Sequence, residues 1–480
     1  MADSPKYTDN IYNVAKPRLD LMADATGGVE TIRKEEHIEK FPAESDTWYK
    51  QRVRQAEYNN AVNETIDTAV GKLFRKSIKF DENTPQELID WANDVDGSGT
   101  TLNEYAKQEM KHAIRDGLTY AFIDVPYVDG IETMTNAQKQ ALGINLTPRV
   151  SHVRFVDVIN RYVDASGKLT KCTIVESVTR LKNGAEFEQE TVKQYRVLYI
   201  EGGEVYQDVW EEYDSTTGDK LVKTALDGNG NEIKMQRITP SNNAGEKSIK
   251  LVEIPLVPLY TGKIAAHNAK PPLLNQAYTL FSWINTNSQY QRALQDTADP
   301  TLLAVGRQPD ENGKYKPLIT GTRTVIDVPE GGSAEWLELT GQSLPSFITK
   351  LERLEAELES YKTSIQAKDA SVSTKQTSIE NADKVSKLTN WAWNIEDYIN
   401  GILKIVGAYM GVEYDVKAEC NKDFDEYELS KENKEFLSQM EQRGQFPLKR
   451  MLMLLKRGEV IPDEWDIEEI MDELSSQPPA

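Results

Sequence analysis

Cysteine is nearly absent from this chain: of 480 residues only Cys172 and Cys420 carry a thiol, and they lie far apart. Two distant thiols form no disulfide framework and no metal-ligand spacing, so the expected state is two reduced cysteines. Histidine is equally scarce, and His37, His112, His152 and His267 are scattered with no His-x-x-x-His pair, which leaves metal catalysis without support. Phosphate-cradling glycine loops, a Gly-x-Ser-x-Gly elbow and a dinucleotide fingerprint are missing too. The longest uncharged stretch, Leu273 to Gln291, is interrupted by Asn275, Gln276, Thr279, Ser282 and Asn285, which would be too costly in lipid for a membrane span. The opening MADSPKYTDN shows no charged-then-apolar leader pattern.

Positive charge is also in deficit. Lys and Arg number 56 against 77 Asp and Glu, a formal net charge of −21. Affinity built on phosphate contacts requires a basic patch, so tight nucleic-acid binding is disfavoured, whereas a surface past which a polyanion slides is compatible with like charge. What the chain has is 39% hydrophobic residues and 21 Tyr, 8 Trp and 11 Phe, enough apolar surface to bury a core.

Apolar residues recur at helical spacing from Asp46 to Phe74, a second helical unit follows at Pro85–Trp91, and Thr101 with Glu104 forms a capping-box pattern that opens a helix ending near Gly117. YAFIDVPYV then reads as a strand. From Thr147 to Tyr260 the texture is that of antiparallel hairpins: short β-branched and aromatic runs separated by Asn-Gly, Gly-Gly and Asp-Gly turns. After Gly262 the chain turns helical. Leu273, Ala277, Leu280, Phe281, Ile284 and Leu294 mark one face of a helix over 272–297 whose other face is Asn, Gln, Ser and Thr. Such a face suits packing against copies of the chain or lining a channel; a surface helix with biased composition fits it as well. Short β segments fill 298–340. Leu344, Phe347, Ile348, Leu351, Leu354, Leu358 and Tyr361 then predict a helix, of about 17 residues and about 26 Å. A polar loop and a long helix to about Met410 follow. Residues 413–480 hold 18 acidic and 9 basic residues and three candidate helices, near Lys431–Arg443, Leu448–Lys456 and Asp466–Leu474.

Two segments imitate calcium loops. Asp94-Val-Asp96-Gly-Ser98-Gly99 places glycine sixth but Tyr105 twelfth, where a bidentate Glu is needed, and reads as a helix-entry turn. Asp227-Gly-Asn229-Gly-Asn231 has Glu232 sixth and Ile238 twelfth and reads as a hairpin turn.

The order IPLVPLYTGK, uncharged helix, β-rich excursion, short helix, polar loop and long helix ending GAYMGVEYDV resembles the core of tailed-bacteriophage portal proteins (head-to-tail connectors). DTADPTLLAVGR, PEGGSAEWLELTGQSL and LERLEAEL look like that family's clip and stem, EFLSQMEQRGQFPLKRMLMLLKRGEVIPDEWDIEEIMDEL is similar to its C-terminal segment, and WANDVDGSGTTLNEYAKQEMKHAIRDGLTYAFIDVP fits it as well. The likeness is less clear over about 160–245. One departure is Ser378-Ile379-Glu380, where relatives often carry a Glu-Thr-Ala-like entry to the long helix, so the loop boundary shifts by several residues.

The resemblance implies an α+β portal fold. Its parts would be a mostly helical wing over 1–146, a β-rich wing over 147–270, a first stem helix over 271–297, a clip over 298–340 with Arg307, Lys314, Lys316, Arg323 and Trp336, and a second stem helix over 341–361. A tunnel loop over 362–380 with Lys362, Lys368 and Lys375, a long kinked helix over 381–412 and an acidic segment with a small crown over 413–480 would complete it. Phe347, Leu351, Leu354 and Leu358 would form the seam between stems of neighbouring copies. The implied role is a non-enzymatic dodecameric ring at one capsid vertex of the virion, assembled in the host cytoplasm, that passes double-stranded DNA during packaging and ejection. The implied partners are the terminase large subunit, the head–tail adaptor and the major capsid and scaffolding proteins, with no membrane and no cofactor. Competing readings are a minor head or connector protein and a carboxylate-dependent hydrolase, the latter requiring two carboxylates in one cleft.

Overall fold

The computed structural model describes residues 5–125 except 43, 147–182, 186–213, 220–221, 236–237, 251, 253–298, 301–305, 332–337, 341, 344–365, 375–414, 417–422, 439–440, 447–457, 461, 465 and 467–476. The hairpin turn expected at 227–231 lies outside these residues, as does most of the helix expected at Lys431–Arg443.

Helices come first. Asp9 caps α1 (Asn10–Thr26) by accepting from the Tyr12 amide at 2.6 Å, and α1 buries Ala15, Leu19, Met22 and Ala25 at helical spacing. After the single turn α2 (Val29–Ile32) come α3 (Asp46–Gln55), capped by Ser45, and α4 (Ala61–Leu73), which buries Val62, Ile66, Val70 and Leu73. α5 (Gln86–Trp91) leads to α6 (Leu102–Asp116), where Thr101 and Glu104 form the reciprocal capping box. Gly117 ends α6 at φ +84°, and a Cβ there would lie 2.6 Å from the Lys270 carbonyl oxygen. Only glycine tolerates both that conformation and that approach.

The chain enters β1 (Leu118–Asp124), which is the centre of an antiparallel three-stranded sheet between β2 (Arg149–Arg154) and β9 (Leu256–Tyr260). A division at 146/147 therefore cuts a sheet: the helical and β-rich parts share one core. A second antiparallel sheet orders β3 (Val158–Val163), β4 (Leu169–Leu181), β5 (Gln189–Glu201) and β6 (Glu204–Tyr213), with the two-residue strands β7 (Lys220–Leu221) and β8 (Gln236–Arg237) on β6. β5 and β6 reverse at Gly202-Gly203, whose φ values of 60° and 83° suit the tight primed turn that matches strand twist. The small hairpin β10 (Lys263–Ala265) and β11 (Asn268–Ala269) leads into the helical half.

That half contains α7 (Leu274–Ala298, 25 residues), β12 (Thr301–Val305), β13 (Ser333–Leu337), α8 (Leu344–Ile365, 22 residues) and α9 (Lys375–Met410, 36 residues). Helix α9 buries Leu388, Trp391, Ile395, Tyr398, Ile402 and Val406 in the common core, and its Trp391 indole N–H donates to the Thr261 carbonyl at 3.0 Å. The tail returns through an antiparallel bridge between Lys79 and Glu419, and α10 (Leu448–Arg457) and α11 (Ile467–Ser476) pack on each other. The architecture is mixed α+β, with long helices and small antiparallel sheets.

Candidate functional site

The candidate site is the hairpin of α7 and α8 together with the start of α9. Helices α7 and α8 pack side by side, and β12 pairs antiparallel with β13 at their far end, Leu302 opposite Trp336. Helix α8 buries a single stripe, Leu351, Leu354 and Leu358, inside the chain. The seam expected between neighbouring copies is therefore closed within one subunit, because α7 and α4 of the same chain already cover it. Phe347 is half-buried with its ring tilted 45° to Tyr290, and Ile348 beside it is exposed.

The uncharged face of α7 has an equally local explanation. Gln276, Thr279, Thr286, Asn287 and Ser288 are buried, not presented to a channel or to a copy. The Gln276 amide donates to Thr65 Oγ1 at 2.8 Å, Thr279 donates to Glu357 Oε1 at 3.0 Å, Asn287 donates to Glu57 Oε2 at 2.8 Å, and Ser288 accepts from Arg52 at 2.8 Å. A buried polar side chain must be hydrogen-bonded, and a neutral one meets that demand without the desolvation cost of an ion. The lack of charge records burial between α3, α4 and α8. Among the described residues of α7, Asn275, Tyr278 and Ser282, and Gln295 and Ala298 nearer its end, are exposed.

One ionic clasp ties the C-terminal part of α7 to α3. The Glu44 side chain is 1% exposed and accepts from Arg52 at 2.8 and 3.1 Å and from Arg292 of α7 at 2.8 Å. The Arg52 hydrogen bonds hold the Glu44 carboxyl below its ordinary range against the opposing effect of burial. Nothing in the spacing of residues 44, 52 and 292 signalled this group.

The loop lysines fall differently from the expectation of a loop over 362–380. Helix α8 runs on to Ile365 and α9 starts at Lys375, because Lys, Gln, Glu and Ala sustain a helix without an apolar stripe. Lys362 sits on α8 with Nζ 2.9 Å from Glu64 Oε2, which raises its pKa, so it clasps α4 and is not a free loop cation. Lys375 begins α9, and Lys368 lies outside the described residues. Of the expected clip residues, Trp336 is in β13, while Arg307, Lys314, Lys316 and Arg323 lie outside the described residues.

Other chemistry-bearing groups singled out in the sequence have local roles. Asp94 accepts from the Gly97 and Gly99 amides and Asp96 from those of Ser98 and Thr100, so both carboxylates of the calcium-like stretch shape the turn into α6. The Thr100 and Ser98 bonds keep Asp96 strongly acidic. His112 and His152, far apart in sequence, stack at 4.2 Å; buried Glu109 meets His152 Nδ1 at 2.7 Å, and burial pushes His112 down to about 3. Among the described residues one group, Asp24, Glu36 and His37, has metal-ligand character, but Lys34 already lies 2.6 Å from Asp24. No helix among the described residues is long and apolar enough to cross a membrane.

Residues 272–410, the span from α7 to α9, match a family described as a domain of unknown function (DUF4055). No curated protein matches the chain. Among solved structures, the chain is similar to one from the virion of a native gene transfer agent particle, with 10% identity, a TM-score of 0.41 and coverage of 93% of this chain and 98% of that one. It is also similar to a chain in the neck of the native particle computed with C12 symmetry, with 10% identity, a TM-score of 0.40 and coverage of 83% and 89%.

Proposed function

We propose that this chain is a portal-like connector subunit that closes into a ring around a channel for double-stranded DNA. The observation that carries the reading is the run from α7 to α9: two antiparallel helices flanking a two-stranded β cap, then a 36-residue helix crossing the core. A helical arm of this kind leaves most of α8 outward, with Ser346, Ile348, Thr349, Lys350 and Glu352 exposed. Such a surface suits head-to-tail packing around a closed ring. The family match covers this run as one segment. The net charge of −21 supports transit without adhesion of a polyanion.

In this reading twelve copies form the ring at a capsid vertex of a virion assembled in the host cytoplasm. The β cap meets the terminase large subunit during packaging and the head–tail adaptor afterwards, while the wing meets capsid and scaffolding proteins. The subunit needs no catalytic residue and no cofactor, since ATP hydrolysis belongs to the motor. Negative-stain electron microscopy with native mass tests it. Rings with a central channel and about twelve copies are expected by the family resemblance. A compact dimer with one deep cleft would overturn the reading.

A further inference from the structure

One face of the β3–β6 sheet is only partly open to solvent: Asn160, Thr173 and Val197 on it are buried, while Tyr162 and Lys171 are exposed. Residues two apart on a strand share a face, and the register builds two rows across four strands. One row is Asn160, Thr173, Val197 and Asp208; the other is Tyr162, Lys171, Tyr199 and Tyr206. Arg161, Cys172, Leu198 and Gln207 point the opposite way, into the core. A one-sided antiparallel sheet usually turns charged and polar residues to water. Here Tyr162 is 50% exposed, Tyr199 stacks on Tyr206 at 5.7 Å, and Trp210 adjoins them. Tyr162, Tyr199 and Trp210 line an open groove of about 780 Å³, with Pro5 and Tyr7 as one wall.

Two acceptors in this groove have no hydrogen-bond partner among the described residues: Asn160 Oδ1 and Asp208 Oδ1. Asn160 is only 5% exposed and spends its amide N–H on the Tyr7 carbonyl at 2.9 Å. Burial raises the Asp208 carboxyl, which is the electrostatic sign of a carboxylate short of donors. A buried acceptor left unpaired is unfavourable, so the groove favours a guest rich in N–H groups. Its charged lining is Lys171 against Glu201 and Asp208, which favours a cationic guest. Sheet faces that stack nucleic-acid bases sit in basic grooves, and this one does not. From β3 to β6 the face spans about 14 Å, the reach of four or five extended residues.

We propose that this face docks an extended, arginine- or lysine-bearing segment of a partner protein. Its N–H donors meet Asn160 and Asp208, and its apolar side chains lie across Tyr162, Tyr199 and Trp210. The assignment is independent of the ring, since it uses no residue of α7, α8 or α9.

The test is fluorescence anisotropy with the full chain and a fluorescein-labelled peptide of alternating valine and arginine, against its valine–glutamate counterpart. Wild type should bind the basic peptide saturably, and Asp208→Asn and Trp210→Ala should each weaken it about tenfold or more. Glu190→Gln changes the net charge equally at a residue paired with Arg180 outside the groove, and should leave binding unchanged. Asp208→Asn is nearly isosteric, so it remains readable if the tryptophan variant misfolds. The assignment fails if wild type binds neither peptide, if both peptides bind alike, or if all three variants match wild type. It fails equally if sedimentation shows that Trp210→Ala dissolves an oligomer while the basic peptide leaves wild type untouched, for then a second copy occupies the face.

Discussion

At the scale of residues, the consequential groups are charges and thiols removed from water. Arg161 has a side chain 1% exposed, and its one ion pair among the described residues is with Asp9 Oδ2 at 3.2 Å, while Asp9 Oδ1 caps α1. Asp9→Asn keeps a capping oxygen but strands the guanidinium charge, so it should cost about 3 kcal/mol. The exposed Lys16–Asp20 pair is a control, since Lys16→Met should change stability by less than about 0.5 kcal/mol. Denaturant unfolding of both variants checks the contrast, and equal effects would refute it. Burial pushes the thiols of Cys172 and Cys420 up to about 12. Neither should react appreciably with a thiol reagent at pH 8 in the folded chain, and both should after denaturation, as counted by absorbance. His112 works in the opposite sense: burial, then the neighbouring His152 and Arg115, lowers it to about 3 from 6.5. The unfolded chain binds a proton there that the folded chain refuses. Stability from this group is complete above pH 6.5 and is lost progressively as pH falls toward 3. In His112→Asn the melting temperature should fall less between pH 6.5 and 4 than in wild type, and parallel curves would refute this.

At the scale of elements, burial decides what each helix can do. Leu354 lies in the closed seam of α8, whereas Ile348 on the same helix is 41% exposed. Leu354→Ala should destabilise the chain by about 2–4 kcal/mol, while Ile348→Ser should leave stability within about 0.5 kcal/mol. If α8 meets a neighbouring copy, the second variant should act on assembly alone. Thermal melting paired with native mass separates the two effects, and a stability loss in both would refute the placement. The capping box of α6 and the glycine turn between β5 and β6 were legible in advance because each depends on contacts a few residues apart. The ends of α8 and α9 were not, since their extra turns carry no apolar period to read.

At the scale of the whole molecule, charge is the controlling quantity. Copies bearing −21 each repel one another at low ionic strength. Assembly into the proposed ring should therefore be favoured at about 0.5 M salt over 0.05 M, since the screening length falls from beyond to well within 10 Å. Sedimentation velocity at the two concentrations checks this, and larger species at low salt would refute it. The sequence by itself determined the elements: helices where apolar residues recur at 3.6, strands where they alternate, and turns at glycine. It also determined the order of long helices and β segments on which the resemblance rests. Only the tertiary structure decided which faces are inside. The uncharged face of α7 and the leucine stripe of α8 read equally well as surfaces for a second copy, and became interior when α3, α4 and α8 folded over them. The pairing of His112 with His152, of Glu44 with Arg52 and Arg292, and of Asp9 with Arg161 likewise belongs to the fold. Local propensity acts over a few residues of chain, whereas burial is set by contacts between segments hundreds of residues apart, and no period in a sequence records them.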